Sequence, residues 1–169
     1  MALREVIKLP HPTLRRRAHK VVGFNADLQQ LIEDMIETMR DEPGVGLAAP
    51  QVNISQRLIV VEYPEDDSIT DANAKVFVLA NPELSQVSDE KEKGIEGCLS
   101  VPNLFGEVDR SQSVTVRGQN RRGKDVVIKA NGWLARIFQH EIDHLDGILF
   151  VDRASVLYHP DEIPDGEYV

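Results

Sequence analysis

Apolar residues recur along this chain with two different periods, and those periods divide it into elements. Leu28, Leu31, Ile32, Met35, Ile36 and Met39 follow Asn25 at intervals of three and four, opposite Glu33, Asp34 and Glu37. That spacing predicts an amphipathic helix capped by Asn25 and ended by Pro43 and Gly44. Residues 57–63 and 75–80 are rich in β-branched and aromatic side chains and read as strands, with the acidic stretch 64–71 as a surface loop between them. Residues 113–117 and 125–129 alternate apolar with polar across a turn holding Arg122-Gly123, the pattern of a hairpin. A second helix is expected from near Asn131 to about Gly147, where glycine can adopt the left-handed conformation past the last turn. Pro10-His11-Pro12 forbids a regular helix in the lead-in of residues 1–24. The acidic tail 155–169, with Pro160, Pro164 and Gly166, is expected to be mostly irregular. Helix, strands, hairpin and helix in that order predict an α+β fold, and 169 residues without repeat or linker predict one domain over 1–169.

Charge narrows the partners. Nineteen Lys and Arg stand against 28 Asp and Glu, a net charge of −9, so phosphate-rich surfaces would repel the chain. Direct binding to nucleic acid or to an anionic membrane is not expected, and the single basic run, Arg15-Arg16-Arg17, reads as a solvated face. One cysteine, Cys98, excludes an intrachain disulfide. The opening residues MALREVIKLPHP lack a signal-peptide pattern and no apolar run reaches the roughly 18 residues of a membrane span, so the expected address is the cytoplasm.

The chemistry begins at His140-Glu141-Ile142-Asp143-His144, which fits H-E-x-x-H. On a helix, positions i and i+4 share a face, so both imidazoles can reach one cation. Glu141 stands close enough to exchange a proton with a water that the cation polarises. Two partly buried histidines of structural use are the competing reading, and the apolar frame of Trp133, Leu134, Ile137, Ile142 and Leu145 favours the site. A catalytic cation needs a third protein ligand. A metzincin would place histidine at position 150, where Phe150 stands, and a gluzincin would draw on Glu162 or Glu167, in a Pro/Gly-rich tail that is a poor platform for a rigid ligand. Cys98, in Glu96-Gly97-Cys98-Leu99-Ser100, is the better candidate: a thiolate is a strong ligand for borderline cations, and glycine beside it lets backbone approach a ligand. A lone cysteine is more often a small buried hydrophobe, so it needs company. Gly44-Val45-Gly46-Leu47-Ala48-Ala49-Pro50-Gln51 offers it: small residues leave backbone open to a substrate, and Gln51 adds an amide donor. A helix stop followed by a packed loop explains that run equally well, and its spacing is not that of a phosphate loop.

Together, residues 44–51, 96–100 and 139–144 resemble the three motifs of the peptide deformylase family, G-x-G-L-A-A-x-Q, E-G-C-L-S and Q-H-E-x-D-H, in order and at comparable spacing. The likeness covers most of residues 3–153. It implies a compact single domain with mostly antiparallel strands around a central helix that carries metal ligands. It also implies hydrolytic removal of the formyl group from the N-terminal formylmethionine of new polypeptides, releasing formate. By the resemblance, Cys98, His140 and His144 hold one divalent metal ion, commonly Fe²⁺ in this family, with Ni²⁺, Co²⁺ or Zn²⁺ also able to occupy the site. Water activated by that ion attacks the formyl carbon, with Glu141 as general base and then acid. Gln51 and the Leu99 backbone N–H meet the oxyanion, and Val45, Gly46 and Gly97 hold the substrate backbone. Trp133, Arg136 and Ile137 border the pocket for the methionine side chain. The expected partners are N-formylmethionyl nascent peptides met near the ribosome by a monomer, although the tail lacks the long amphipathic helix that some members dock with. Two rival readings stay open: a zinc endopeptidase on the same helix, and a protein that holds formylated N-termini without turnover. Intact Glu141, Gln51 and ligand set speak against the second. His11, His19 and His159 have no ligand spacing and read as surface or loop residues.

Overall fold

The middle of the fold is a strand buried on both faces. β2 (Leu58–Pro64) turns Leu58 and Val60 to one side and Ile59 and Val61 to the other, and all four are buried. Successive residues of a strand face opposite ways, so a continuous apolar run is satisfied only where each face is covered. Helix α1 (Ala26–Asp41) covers the first, packing Leu28, Ile32, Met35 and Met39 into one cluster with Leu58, Val60 and Ala80. Helix α2 (Gly132–Leu145) covers the second, with Leu134, Ile137, Phe138 and Ile142 against Ile59, Val61, Phe77 and Val116.

The computed structural model describes residues 2–65 and 74–163. Most of the acidic stretch 64–71 lies outside the described residues. Five antiparallel strands form the main sheet in the order β1 (Gly46–Ala48), β2, β3 (Ala74–Val87), β6 (Ser113–Gln119) and β7 (Asp125–Asn131). The expected hairpin is β6–β7. A second antiparallel sheet holds β4 (Lys91–Cys98), β5 (Val101–Ser111) and β8 (Val156–Tyr158) in that order. The fold is α+β, with antiparallel strands around the H-E-x-x-H helix.

The helix ends follow the local chemistry. Asn25 Oδ1 accepts from the Leu28 N–H at 3.0 Å and caps α1. Asn131 precedes α2, but its side chain accepts from Ser113 Oγ at 2.7 Å instead of capping the helix. Past Leu145, the Gly147 N–H reaches His144 O at 3.2 Å and the Ile148 N–H reaches Asp143 O at 3.0 Å, closing the helix in a Schellman motif. Gly147 sits at φ +75°, and a Cβ there would lie 2.6 Å from the Arg15 carbonyl oxygen, so glycine is needed for both conformation and space.

One expectation needs correction. The tail is not mostly irregular as far as it is described. A short helix α3 (Phe150–Arg153) leads into β8, which pairs Tyr158 with Phe105 and Leu157 with Gly106, and a 3₁₀ turn follows at Pro160–Glu162. The lead-in, though largely without regular elements, is tied down: the Ile7 N–H donates to Gln51 O at 2.8 Å and the Leu9 N–H to Ser100 O at 3.0 Å. It therefore fastens the two motif segments from behind. Among the described residues, no helix is long and apolar enough to cross a membrane.

Candidate metal centre

Three segments far apart in sequence converge where α2 passes between the sheets. Helix α2 is buried almost all round, and residues 140 and 144 project from it one turn apart, their ring centroids 5.2 Å from each other. Cys98 ends strand β4, where the β4–β5 register shifts after Gly97, and its Sγ lies 3.4 Å from His144 Nε2. One ligand atom each from Cys98, His140 and His144 fall within 4.8 Å of one another. Sulfur and two ring nitrogens at that separation can close on a single divalent ion with small rotamer changes.

The surroundings prepare the ligands. His140 Nδ1 donates to Glu96 Oε1 at 2.8 Å, which directs Nε2, the other ring nitrogen, to ligation. Glu96 is fully buried and accepts both Arg110 Nε and Nη2 at 2.9 Å. Burial alone would raise its carboxyl, but the Arg110 and His140 hydrogen bonds outweigh that and hold it well below the usual range. Burial together with the neighbouring His140 pushes His144 well below an ordinary imidazole, keeping it neutral as a ligand must be. Its Nδ1 is buried without a partner among the described residues.

Glu141 differs from the ion-paired Glu96 beside it. It is 2% exposed, its Oε1 has no hydrogen-bond partner among the described residues, and burial pushes its pKa up to about 7. It fits only because residue 46 is glycine, where a Cβ would lie 2.6 Å from Glu141 Oε2. Gln51, on the 3₁₀ turn Ala49–Val52, accepts from the Ala48 N–H through Oε1 at 3.0 Å. That bond turns Nε2 toward the cluster, 3.5 Å from Cys98 Sγ and 3.2 Å from Ser100 Oγ.

A cavity of about 290 Å³ opens onto these groups, walled by Val45, Gly46, Gly97, Leu99 and Phe105. β1 and β4 are edge strands of their sheets, and both contribute to this wall. Of the twelve residues singled out from sequence, nine thus meet at the cavity or the cluster. The helix positions assigned to a methionine pocket do not. Ile137 is buried in the sheet-facing core, and the Arg136 guanidinium is drawn onto Glu96 at 2.6 Å, with Trp133 stacked 5.4 Å from it. A fully buried carboxylate outcompetes an apolar cavity for that charge. Sequence reasoning also passed over Glu96 and Arg110. Glu96 stood inside a quoted motif without a role, and Arg110 carried no signal at all.

A partly buried thiol and two buried imidazoles beside an unpartnered carboxylate, on an α+β frame, define the donor set of a metal-dependent hydrolase. A profile of the family described as polypeptide deformylase matches residues 3–159. The chain is 46% identical over 158 residues to a peptide deformylase of Desulforudis audaxviator, covering 94% of this chain and 97% of that one. It superposes on the crystal structure of peptide deformylase from Thermotoga maritima with a TM-score of 0.83 at 42% identity, over 92% of this chain and 100% of that one. For the Met-Ala-Ser-bound class I type b peptide deformylase of Acinetobacter baumannii the TM-score is 0.82 at 40% identity, over 90% and 98% of the two chains. The chain belongs to the polypeptide deformylase family.

Proposed function

We propose that this chain hydrolyses the formyl group from the N-terminal formylmethionine of newly made polypeptides, releasing formate and a free α-amine. The observation that carries the reading is Glu141 Oε1, buried without a partner beside a thiol and two imidazoles on a cavity between two strand edges. Cys98, His140 and His144 would hold one divalent ion, Fe²⁺ first by family likeness, with Ni²⁺, Co²⁺ and Zn²⁺ also suited to one sulfur and two nitrogens. Bound there, such an ion polarises the formyl oxygen and lowers the pKa of water.

The protein's own groups carry the proton and the charge. Glu141 takes a proton from the attacking water and delivers it to the leaving nitrogen as the new carbon–oxygen bond forms and the carbon–nitrogen bond breaks. In the metal-free protein burial already lifts Glu141 to about 7, away from the ordinary carboxylate range and toward a group that can both accept and give a proton. Gln51 Nε2 and the Leu99 N–H meet the charge developing on the formyl oxygen, a donor of this kind being worth about 10²–10³ in rate. Val45, Gly46 and Gly97 hold the peptide as an added strand, because β1 and β4 each offer a free edge. The Acinetobacter relative holds Met-Ala-Ser, a tripeptide beginning with methionine, which is chemically what such a reaction leaves. The reading places a monomer in the cytoplasm, meeting nascent chains near the ribosome. A net charge of −9 accords with no direct grip on nucleic acid or membrane.

The test is to load the protein with Ni²⁺ or Fe²⁺, add formyl-Met-Ala-Ser and a longer unblocked peptide, and assay formate and internal cleavage separately. Formate from the first with the second left intact is expected. Internal cuts without formate would make the chain an endopeptidase.

Gly46→Ala probes the base from the other side. The added methyl forces Glu141 off its position, and displacement of that order can lower turnover about 10²-fold without touching the ligands. The expected result is full metal content with kcat reduced. An unchanged kcat would mean that the Glu141 carboxylate need not sit where it does.

A further inference from the structure

Glu96 has more cations around it than its charge requires. Arg110 already grips both carboxylate oxygens, yet Arg136 Nη1 also donates to Glu96 Oε2 at 2.6 Å, from a side chain only 4% exposed. Burying a second guanidinium is unfavourable unless its donors find partners, and three hydrogen bonds hold this one. Nη1 also reaches Val108 O at 3.0 Å on β5, and Nη2 reaches Glu92 O at 2.6 Å on β4. The Trp133 ring covers the guanidinium. Gly94 makes the room: a Cβ there would lie 2.7 Å from Arg136 Cζ. Arg136 is thus bolted to two strands as well as to the carboxylate, and it sits one helical turn before His140, the residue whose Nδ1 the same carboxylate holds.

We infer that Arg136, seated against Gly94, is a positioning residue for the cation ligand His140, acting through Glu96 by locking the carboxylate that sets the imidazole's tautomer and tilt. Arg110 approaches Glu96 from β5 and is shared with Asp143 at 2.6 Å, so by itself it fixes the carboxylate from one side. Arg136 comes from the same helix as His140 and fixes it from the other. The ligand and the clamp on its support therefore move as one body. The inference rests on the reading that Cys98, His140 and His144 hold the ion.

The experiment uses the full chain loaded with Co²⁺ and follows metal transfer to a chelator, together with the visible spectrum of the bound cobalt. Loss of an outer partner of a metal-bound histidine typically costs about 10–100-fold in affinity, so Arg136→Met should release cobalt faster by that order and shift the ligand-field bands. Arg136→Lys should recover part of the retention. Gly94→Ala displaces the guanidinium without removing its charge, and it should act in the same direction even if Arg136→Met proves insoluble. Combined with Arg136→Met it should add little, since both break one contact. Parent-like release and spectra in Gly94→Ala, or in a folded Arg136→Met, would overturn the inference while leaving the ligand set intact. A parent protein that binds no stoichiometric cobalt would instead overturn the ligand reading, and this inference with it.

Discussion

Glu141→Ala should retain its metal ion and lose formate release by about 10³-fold, within the range of about 10²–10⁴ that a positioned acid–base group supplies. The two halves of that expectation come from different atoms. Metal retention depends on Cys98, His140 and His144, whose ligand atoms cluster without any contribution from Glu141. On the proposed reading turnover depends on Oε1, which is buried and unpartnered among the described residues. Metal analysis and a formate assay on the same preparation decide the matter, and near-parent formate release would remove Glu141 from its role. Stability gives a second readout. Burial lifts this carboxyl from 4.5 to about 7, so in the metal-free protein its protonation favours the folded state. That contribution is complete below pH 4.5 and gone once the pH passes about 7. Metal-free Glu141→Gln should therefore match the parent's Tm near pH 5 and exceed it near pH 8. A parent Tm that does not fall relative to the variant across that interval would show the carboxyl to be unperturbed. The variant that stabilises and the variant that inactivates change the same residue, which is how a working site differs from a packed core.

What could be read from the sequence follows from where the physical signal is local. Helix α1 was legible because a one-sided apolar stripe and an Asn25 cap are sequence-local facts, and both recur in the structure. The H-E-x-x-H helix was legible for the same reason, down to the glycine that ends it. The β4–β5 hairpin was not. Residues 91–98 read Lys-Glu-Lys-Gly-Ile-Glu-Gly-Cys, with no alternation, and β5 contains Pro102 and an Asn103 at φ +63°. These strands are held by pairing with each other and by buried charge from Glu96 and Arg110, which are tertiary facts. Strand β8 was not legible in the tail because Pro and Gly dominate the local signal there, while the pairing of Tyr158 with Phe105 depends on β5, far earlier in the chain.

The candidate site divides along the same line. Its reacting groups stood in recognisable spacings, but the groups that aim them did not. Arg136 shows the difference most directly. Its place on α2 fits a pocket wall by position along the helix, and the buried charge of Glu96, with the Val108 and Glu92 carbonyls, draws the guanidinium elsewhere. Likewise Gln51 was named as an amide donor, but the Ala48 N–H that decides which end of the amide faces the cluster emerges only in three dimensions.

Cys98→Ala should lose the metal ion and keep the fold. The sulfur is one of three donors, so its loss must weaken binding by more than the about 10–100-fold that removal of an outer partner costs. The protein should purify with little bound metal while its far-ultraviolet dichroism stays that of the parent, because Cys98 is only partly buried at the edge of the small cluster around Val108 and Phe150. Protons report the same event. In the metal-free protein burial would lower His140, but hydrogen bonds to Cys98 and Glu96 prevail and hold its pKa well above an ordinary imidazole. A ligating histidine must give that proton up, so metal uptake by the parent should release protons and strengthen as pH rises. Removing the sulfur removes one of the contacts that hold the proton, so the variant's residual uptake should depend less steeply on pH. Parent-like metal content in Cys98→Ala would demand another third ligand. Of the two alternatives available from the sequence, Glu162 is exposed on the turn at Pro160–Glu162 and does not join the cluster, and Glu167 lies outside the described residues. That outcome would leave the ion without an identified third protein ligand, because among the described residues no other set of three ligand-bearing side chains converges.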